Sequence, residues 1–385
     1  MKKKNILFIH SGAELYGADK ILLEVLKGLD KKLFCPILII PNGGPLEYEL
    51  KKNNIKYIIY DFPILRRQYF NLKGIISYTY KYIKSLIYLY RIVKREKIDV
   101  ICSNTLAVLE GIFLSKISKI PHVWHIHEII KEPIIMQKFY SIIVPKFAQN
   151  AICVSDAVKC NLFKEKHNYK CNIRVIHNGI NMEDYKSGDK ANIKRDLLID
   201  EDRLIIGMIG RVNKIKGQSF LVDVTKKLVE RYPELLVIMV GGVFAGQEDL
   251  LINLKEKVKK NNLQSNIKIF DFDNDVNKFY DIFDIFVLPS IKPDSFPTVV
   301  LEAMSHGKPI VAHVTGGVSE MVENFENGIL ITDITIDNTC KAIEKLINNK
   351  ELRVKYGENS VKIMEKKFSS DIFKERINEF YANIN

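Results

Sequence analysis

Residues 203–218 read RLIIGMIGRVNKIKGQ, and the fold turns on how that stretch is parsed. Its first eight residues are a β-rich apolar run. A loop holding Arg211, Lys216 and Gly217 follows, and an amphipathic stretch of helical length begins at Gln218. A strand feeding a loop and then a helix is the repeating unit of a parallel sheet covered by helices. Working forward, the alternation continues through LLVIMVGG (235–242), IKIF (267–270), DIFVLPS (284–290), PIVAH (309–313) and GILI (328–331). Working back, NILFIH (5–10), CPILII (35–40), IKYIIY (55–60), DVICSN (99–104), HVWHIH (122–127) and AICVS (151–155) form an earlier series of the same kind. The polar stretch HNGINMEDYKSGDK (177–190) lacks apolar periodicity and separates the two series. The expected fold class is therefore α/β, with two doubly wound Rossmann-like domains facing across a cleft. Their spans are 1–185 and 186–365, and a helix over 366–385 is expected to pack back on the first domain.

Length and composition agree with this division. A chain of 385 residues exceeds the size at which one hydrophobic core keeps growing, and its 47% hydrophobic content is that of an ordinary globular protein. No run of roughly 18 apolar residues is present to span a bilayer, and MKKKNILFIH leads straight into a strand pattern, so a cytoplasmic location is expected. The six cysteines form no C-x-x-C pair and no cluster with histidines, which argues against a structural zinc site or a disulfide framework. Charge is uneven. Residues 1–185 carry 29 Lys+Arg against 16 Asp+Glu, net +13, which leaves net −1 for the remainder of a chain whose total is +12. Within the basic half, residues 64–97 hold nine basic residues, one acid and seven aromatics. That mixture suits the surface of an anionic membrane, where Tyr and Phe sit at headgroup level; a solvated basic face on sheet-covering helices is the plainer alternative.

Ligands of open parallel sheets bind beyond the carboxyl ends of strands, so residues just after strands carry the chemistry. HSGAELYGADK (10–20) places Gly12 and Gly17 before a helix, either as a binding loop or as an ordinary strand-to-helix turn; it is not G-x-G-x-x-G. HVWHIHE (122–128) puts His125 and His127 on one face of a strand, able to satisfy local hydrogen bonds, contact a sugar hydroxyl or begin a metal site, with no third ligand at a suitable spacing. Arg211 and Lys216 can grip a diphosphate, the first by its planar fork and the second as a point charge. KPDSFPTVVLEAMSHGKP (292–309) brackets a helix start with Asp294 and Glu302. There Ser295 is a candidate cap, Pro297 falls in the first turn, and the amides of Thr298, Val299 and Val300 are expected to be free for a phosphate.

Together these segments resemble glycosyltransferase family 4, retaining enzymes of the GT-B fold that use nucleotide-sugar donors. The resemblance rests on Asp294 with Glu302-Ala303-Met304, Gly307-Lys308-Pro309, and Gly316-Gly317-Val318-Ser319-Glu320. It rests also on Gly210-Arg211 with Lys216-Gly217, His177 to Gly179, Gly17-Ala18-Asp19 and His127. They run in the expected order from about residue 10 to residue 330. The resemblance implies an acceptor-binding first domain and a second domain binding a UDP- or GDP-linked sugar. It implies that Arg211 and Lys216 hold the diphosphate, that Glu302 binds the ribose, and that the amides of Thr298 and Val299 touch phosphate. Asp294 and His127 would then lie at the transferred sugar, with Gly17 near the reaction centre and Phe296 and Pro297 lining the donor. Asp294 and Asp19 each stand where the family usually has Glu.

A nucleoside diphosphate leaving an anomeric carbon needs an anion stabilised on one side and an oxocarbenium-like sugar on the other. Arg211, Lys216 and helix amides meet the first need without a metal, so none is expected, nor any other cofactor. The acid pair Asp271 and Asp273 falls where the family places the nucleotide base. The expected function is transfer of a sugar to a glycan or lipid-linked acceptor in surface polysaccharide synthesis, at the inner face of the plasma membrane and without nucleic acid as a partner. A sugar-nucleotide epimerase of related fold and a non-catalytic binding protein are the alternatives.

Overall fold

The computed structural model describes residues 3–66, 69–163, 170–185, 188–244, 246–271, 273 and 275–384. Two compact units divide the chain: Met1–Gly179 together with Ser370–Asn385, and Ile180–Ser369.

In the first unit strands alternate with helices: β1 (Lys4–His10), α1 (Gly17–Gly28), β2 (Phe34–Ile40), α2 (Leu46–Lys52), β3 (Lys56–Ile59), α3 (Leu72–Arg95), β4 (Val100–Asn104), α4 (Glu110–Ser118), β5 (His122–Ile126), α5 (Ile134–Phe147), β6 (Asn150–Cys153), α6 (Asp156–Leu162) and β7 (Asn172–Val175). The strands form one parallel sheet in the order β3-β2-β1-β4-β5-β6-β7. β1 and β4 are buried on both faces, as expected of strands sandwiched between helices. Ile6 and Phe8 join a core with α1 and α2, while Leu7 and Ile9 join another with Leu89, Ile92 and Val93 of α3. Register sets His10 beside Asn104 and Asn104 beside His125, so three polar residues share the carboxyl edge of the central strands. β7, a short NIRV edge strand with alternate exposed residues, has no counterpart among the expected strands, because its polar content hides it from an apolar search.

The second unit contains α7 (Lys190–Asp196), β8 (Ile205–Ile209), α8 (Gln218–Val229), β9 (Leu236–Val240), α9 (Glu248–Lys260), β10 (Ile267–Phe270), α10 (Asn277–Ile282), β11 (Ile285–Leu288), α11 (Thr298–Ser305), β12 (Ile310–His313), β13 (Gly328–Ile331), α12 (Ile336–Ile347) and α13 (Lys350–Ile363). Its parallel sheet runs β10-β9-β8-β11-β12-β13. The order reverses between β8 and β11 here, and between β1 and β4 in the first unit; at such a reversal the flanking loops diverge and leave a crevice for ligand.

The boundary lies at Gly179–Ile180, not at 185–186. Ile180 bridges Ser369 and its amide donates to the Phe368 carbonyl, which ties the 3₁₀ turn Met182–Tyr185 to the second unit. Phe368 in turn packs edge-on against Phe296, so the return crossing comes at 369–370 and not at 365–366. The last helix, α14 (Ser370–Ala382), then buries Phe373, Ile377, Phe380 and Tyr381 in the core of the first unit. Tyr381 meets Phe8 and Phe34 edge-to-face, and Asn378 is bonded to the Gly28 carbonyl and the Asp30 amide. Each such large apolar side chain contributes about 1.5–3 kcal/mol on burial.

Candidate active site

In the second unit the loop after β8 begins at Gly210 and closes at Gly217, which has φ +82° and lies where a Cβ would fall 1.9 Å from the Pro289 carbonyl oxygen. Glycine at 217 therefore lets this loop press against the one leaving β11. Within it the Asn213 side chain accepts from the amides of Ile215 and Lys216, a local turn that fixes the backbone under Lys216. The Lys216 ammonium is ion-paired with Asp294 in the loop after β11, both side chains about one-fifth exposed. Gln218 donates to the carbonyls of Gly210 and Arg211, and the Arg211 guanidinium lies 3.5 Å over the Phe244 ring.

Asp294 is held through its backbone as well. It forms a parallel bridge with Gly316, its carbonyl accepts from the Gly317 amide at 2.9 Å, and a Cβ at Gly316 (φ +73°) would sit 2.0 Å from that carbonyl. Glycine at 316 is thus required by the close approach of residue 294. α11 begins at Thr298 with Pro297 as its N-cap and no side-chain cap bond. Its first-turn amides at Thr298 and Val299 have no intrahelical acceptor, whereas Val300, expected to be free, donates to the Pro297 carbonyl at 3.0 Å. Glu302 is buried one turn on, and its Oε2 accepts from the Tyr280 hydroxyl at 2.8 Å. That hydroxyl also reaches the Val299 carbonyl at 3.2 Å, and the Tyr280 ring stacks on His306.

In the first unit the carboxyl ends of β1, β4 and β5 converge. His10 Nε2 meets Asp19 Oδ1 at 2.6 Å, Asn104 Nδ2 meets His10 Nδ1 at 2.9 Å, and His127 Nε2 meets Asn104 Oδ1 at 3.2 Å. Thr105, next along, has the uncommon φ of +124°; its amide donates to the His125 carbonyl and its carbonyl accepts from the Trp124 indole, bonds that hold the strained backbone. Glu128 accepts from the amides of Leu106 and His127, and burial pushes its carboxyl up to about 7. Burial holds the His127 and His125 imidazoles below their ordinary range, His125 at about 3, so both are neutral near neutral pH.

Two family descriptions match this chain: Glycosyltransferase Family 4 over residues 16–184 and Glycosyl transferases group 1 over residues 189–363. The chain belongs to the family 4 glycosyltransferases. The glycosyltransferase is 25% identical over 353 residues, 88% of itself and 87% of the relative, to the Escherichia coli UDP-Gal:alpha-D-GlcNAc-diphosphoundecaprenol alpha-1,3-galactosyltransferase. It is 26% identical over 243 residues, 61% of each chain, to the capsular polysaccharide biosynthesis glycosyltransferase CapM of Staphylococcus aureus. Among solved structures, Anabaena HepE in complex with UDP shares the GT-B fold, with a TM-score of 0.82, 23% identity, and coverage of 98% of this chain and 99% of that one.

The glycosyltransferase brings Lys216, Asp294, Thr298 and Val299 to the β8–β11 reversal, and His127 to the strand ends of the first unit. Two further expectations change. Phe296 turns inward against Phe368, so its side chain is core rather than ligand wall. Pro297 is the N-cap residue itself, in extended conformation, not a member of the first turn. Glu302 is held by Tyr280. Gly17 is an exposed first residue of α1. Tyr280, His10 and Asn104 escaped notice in the sequence because their partners lie 22 and 94 residues away, and only strand register would have paired them.

Proposed function

We propose that this glycosyltransferase moves a sugar from a UDP-linked donor to a lipid-linked glycan acceptor, with retention at the anomeric carbon and without a metal. The observation that carries the reading is the conjunction at the β8–β11 reversal of the Lys216–Asp294 pair with the two open amides of α11. An anionic leaving group meets there a flexible ammonium, a guanidinium and N–H donors, which supply the positive charge a divalent ion would otherwise bring. Within the acid pair 271 and 273, Asp273 is bonded to Lys278 at 2.5 Å and accepts from the Asp275 amide, so its carboxylate is already committed locally. Glu302, steadied by Tyr280, keeps Oε1 for ribose hydroxyls, and Asp294 orients the sugar while it holds Lys216. With the diphosphate neutralised, the acceptor hydroxyl attacks on the face from which the leaving group departs. Uridine and a lipid diphosphate acceptor are favoured by the name of the E. coli relative, matched over most of both chains.

Acceptor delivery is proposed to use the outer face of α3. Leu72, Ile75, Ile76, Tyr80, Ile83 and Ile87 are exposed at helical spacing, with Lys73, Lys84, Arg91, Lys94 and Arg95 beside them. The aliphatic side chains together with Tyr80 make this surface, since Tyr78, Tyr82, Tyr88 and Tyr90 are half-buried. Arg67, part of the same basic segment, lies outside the described residues. None of the described helices is long and apolar enough to cross a membrane.

The test is transfer from UDP-galactose to an undecaprenyl-diphosphate-linked N-acetylglucosamine acceptor, with EDTA present and the product's anomeric configuration read by NMR. An α-linked product formed at an undiminished rate is expected. A β-linked product, or activity restored only by divalent ions, overturns the mechanism.

A further inference from the structure

The Asp19, His10, Asn104 and His127 chain takes its direction from the Asp19 carboxylate at one end and from the Asn104 side-chain amide in the middle. An ionised carboxylate only accepts, so at 2.6 Å the His10 Nε2–H donates to Asp19 Oδ1. With that proton on Nε2, the lone pair of the neutral ring lies on Nδ1; of the two Asn104 groups near it, the side-chain N–H at 2.9 Å is the closer and donates to it, and the backbone carbonyl stands off at 3.2 Å. The side-chain carbonyl of Asn104, turned the other way by that bond, accepts from His127 Nε2–H at 3.2 Å. His127 is left with its proton on Nε2 and a lone pair on Nδ1, for which no partner exists among the described residues. His10 and Asn104 are fully buried and Asp19 nearly so, whereas His127 is only partly buried.

We propose that Asp19, His10 and Asn104 are positioning residues, which act through His127 by fixing its tautomer so that Nδ1 accepts a hydrogen bond from a sugar hydroxyl. None of the three touches substrate. Buried polar groups are costly unless fully paired, and here the pairing runs unbroken from a helix-start carboxylate across two strand ends to one ring nitrogen. Asp19 is anchored separately, since its Oδ2 accepts from the Tyr16 amide at 3.2 Å, so the chain has a fixed origin. The ring plane of His127 is steadied from the other side by His125, whose ring centroid lies 4.2 Å away. The proposal rests on His127 serving the sugar, as read above.

The test is the ¹⁵N spectrum of histidine-labelled full-length protein, combined with steady-state kinetics. In the wild type, His127 is expected with Nε2 protonated and Nδ1 bare. Asn104→Leu should release this preference to a tautomer mixture and lower kcat roughly 10- to 100-fold, the scale of losing an orienting partner, while KM for the donor stays within about threefold. Asp19→Asn, nearly isosteric and so safe for the fold, should move both readouts in the same direction, and Asp19→Glu should restore them. A wild-type His127 protonated on Nδ1 overturns the proposal, as does a tautomer and kcat indifferent to both Asn104→Leu and Asp19→Asn. A His127→Ala enzyme with unaltered kcat instead removes the reading of His127 as a sugar contact, and with it the catalytic purpose of the chain.

Discussion

Replacing Tyr280 by Phe deletes one oxygen from a fully buried ring and leaves the packing on His306, Phe283 and Phe286 intact. What is lost is the 2.8 Å bond to Glu302 Oε2 and the 3.2 Å bond to the Val299 carbonyl. Glu302 is only 3% exposed, so its released oxygen is poorly placed to recover a partner from water. Leaving such a group unsatisfied costs about 1–3 kcal/mol, and that is the expected fall in unfolding free energy from urea titration. If the same energy is what orients Glu302 toward the ribose, it corresponds to roughly a 5- to 150-fold weakening of UDP binding, measurable by calorimetry. A Glu302→Gln enzyme should show a similar weakening, and the double variant should cost less than the two singles combined, because both changes break one interaction. Stability within about 0.5 kcal/mol of wild type and an unaltered Kd for UDP would refute the claim that Tyr280 holds this carboxyl group.

Burial pushes the Glu110 carboxyl up from 4.5 to about 8, so the folded chain keeps a proton that the unfolded chain releases. Stability should therefore decline as pH rises from about 4.5 to about 8, by at most about 5 kcal/mol from this group, and urea titrations of Glu110→Gln across that window should show a flatter profile. Gly316→Ala forces a methyl group onto the Asp294 carbonyl at a φ of +73°; thermal melts should register a loss of about 1–3 kcal/mol, and transfer should fall with it, while full activity would count against the 294–316 contact. Ile76→Glu with Ile83→Glu places acids in the exposed stripe of α3 and should abolish co-sedimentation with anionic vesicles without changing UDP affinity; retained sedimentation would remove the membrane role.

Much of the architecture was legible because parallel strands buried on both faces read as apolar runs, and the runs ending at Ile9, Ile209 and Leu288 could hardly be anything else. The same logic failed for β7, where an edge position tolerates Asn and Arg. At the site, residues whose chemistry is local stood out: Arg211 and Lys216 in a short loop, Asp294 and Glu302 around one helix start. Residues whose meaning depends on a distant partner did not. His10 looked like the last residue of a strand until register set it beside Asn104, and Tyr280 looked like core until its hydroxyl was found on Glu302. The inward turn of Phe296 was invisible for the same reason, since its partner Phe368 lies 72 positions further along the chain.

The docking of α14 into the first unit has a consequence for synthesis on the ribosome. The 190 residues from Ile180 to Ser369 are made after the first 179 and before the helix that carries Phe373, Ile377 and Tyr381. At typical elongation rates of about 5–20 residues per second, the pocket around Phe8 and Phe34 waits roughly 10–40 s for its last aromatic. Throughout that interval a nascent chain displays the apolar floor of its central strands, a surface for a chaperone to cover, while the second unit, contiguous in sequence, is free to fold first.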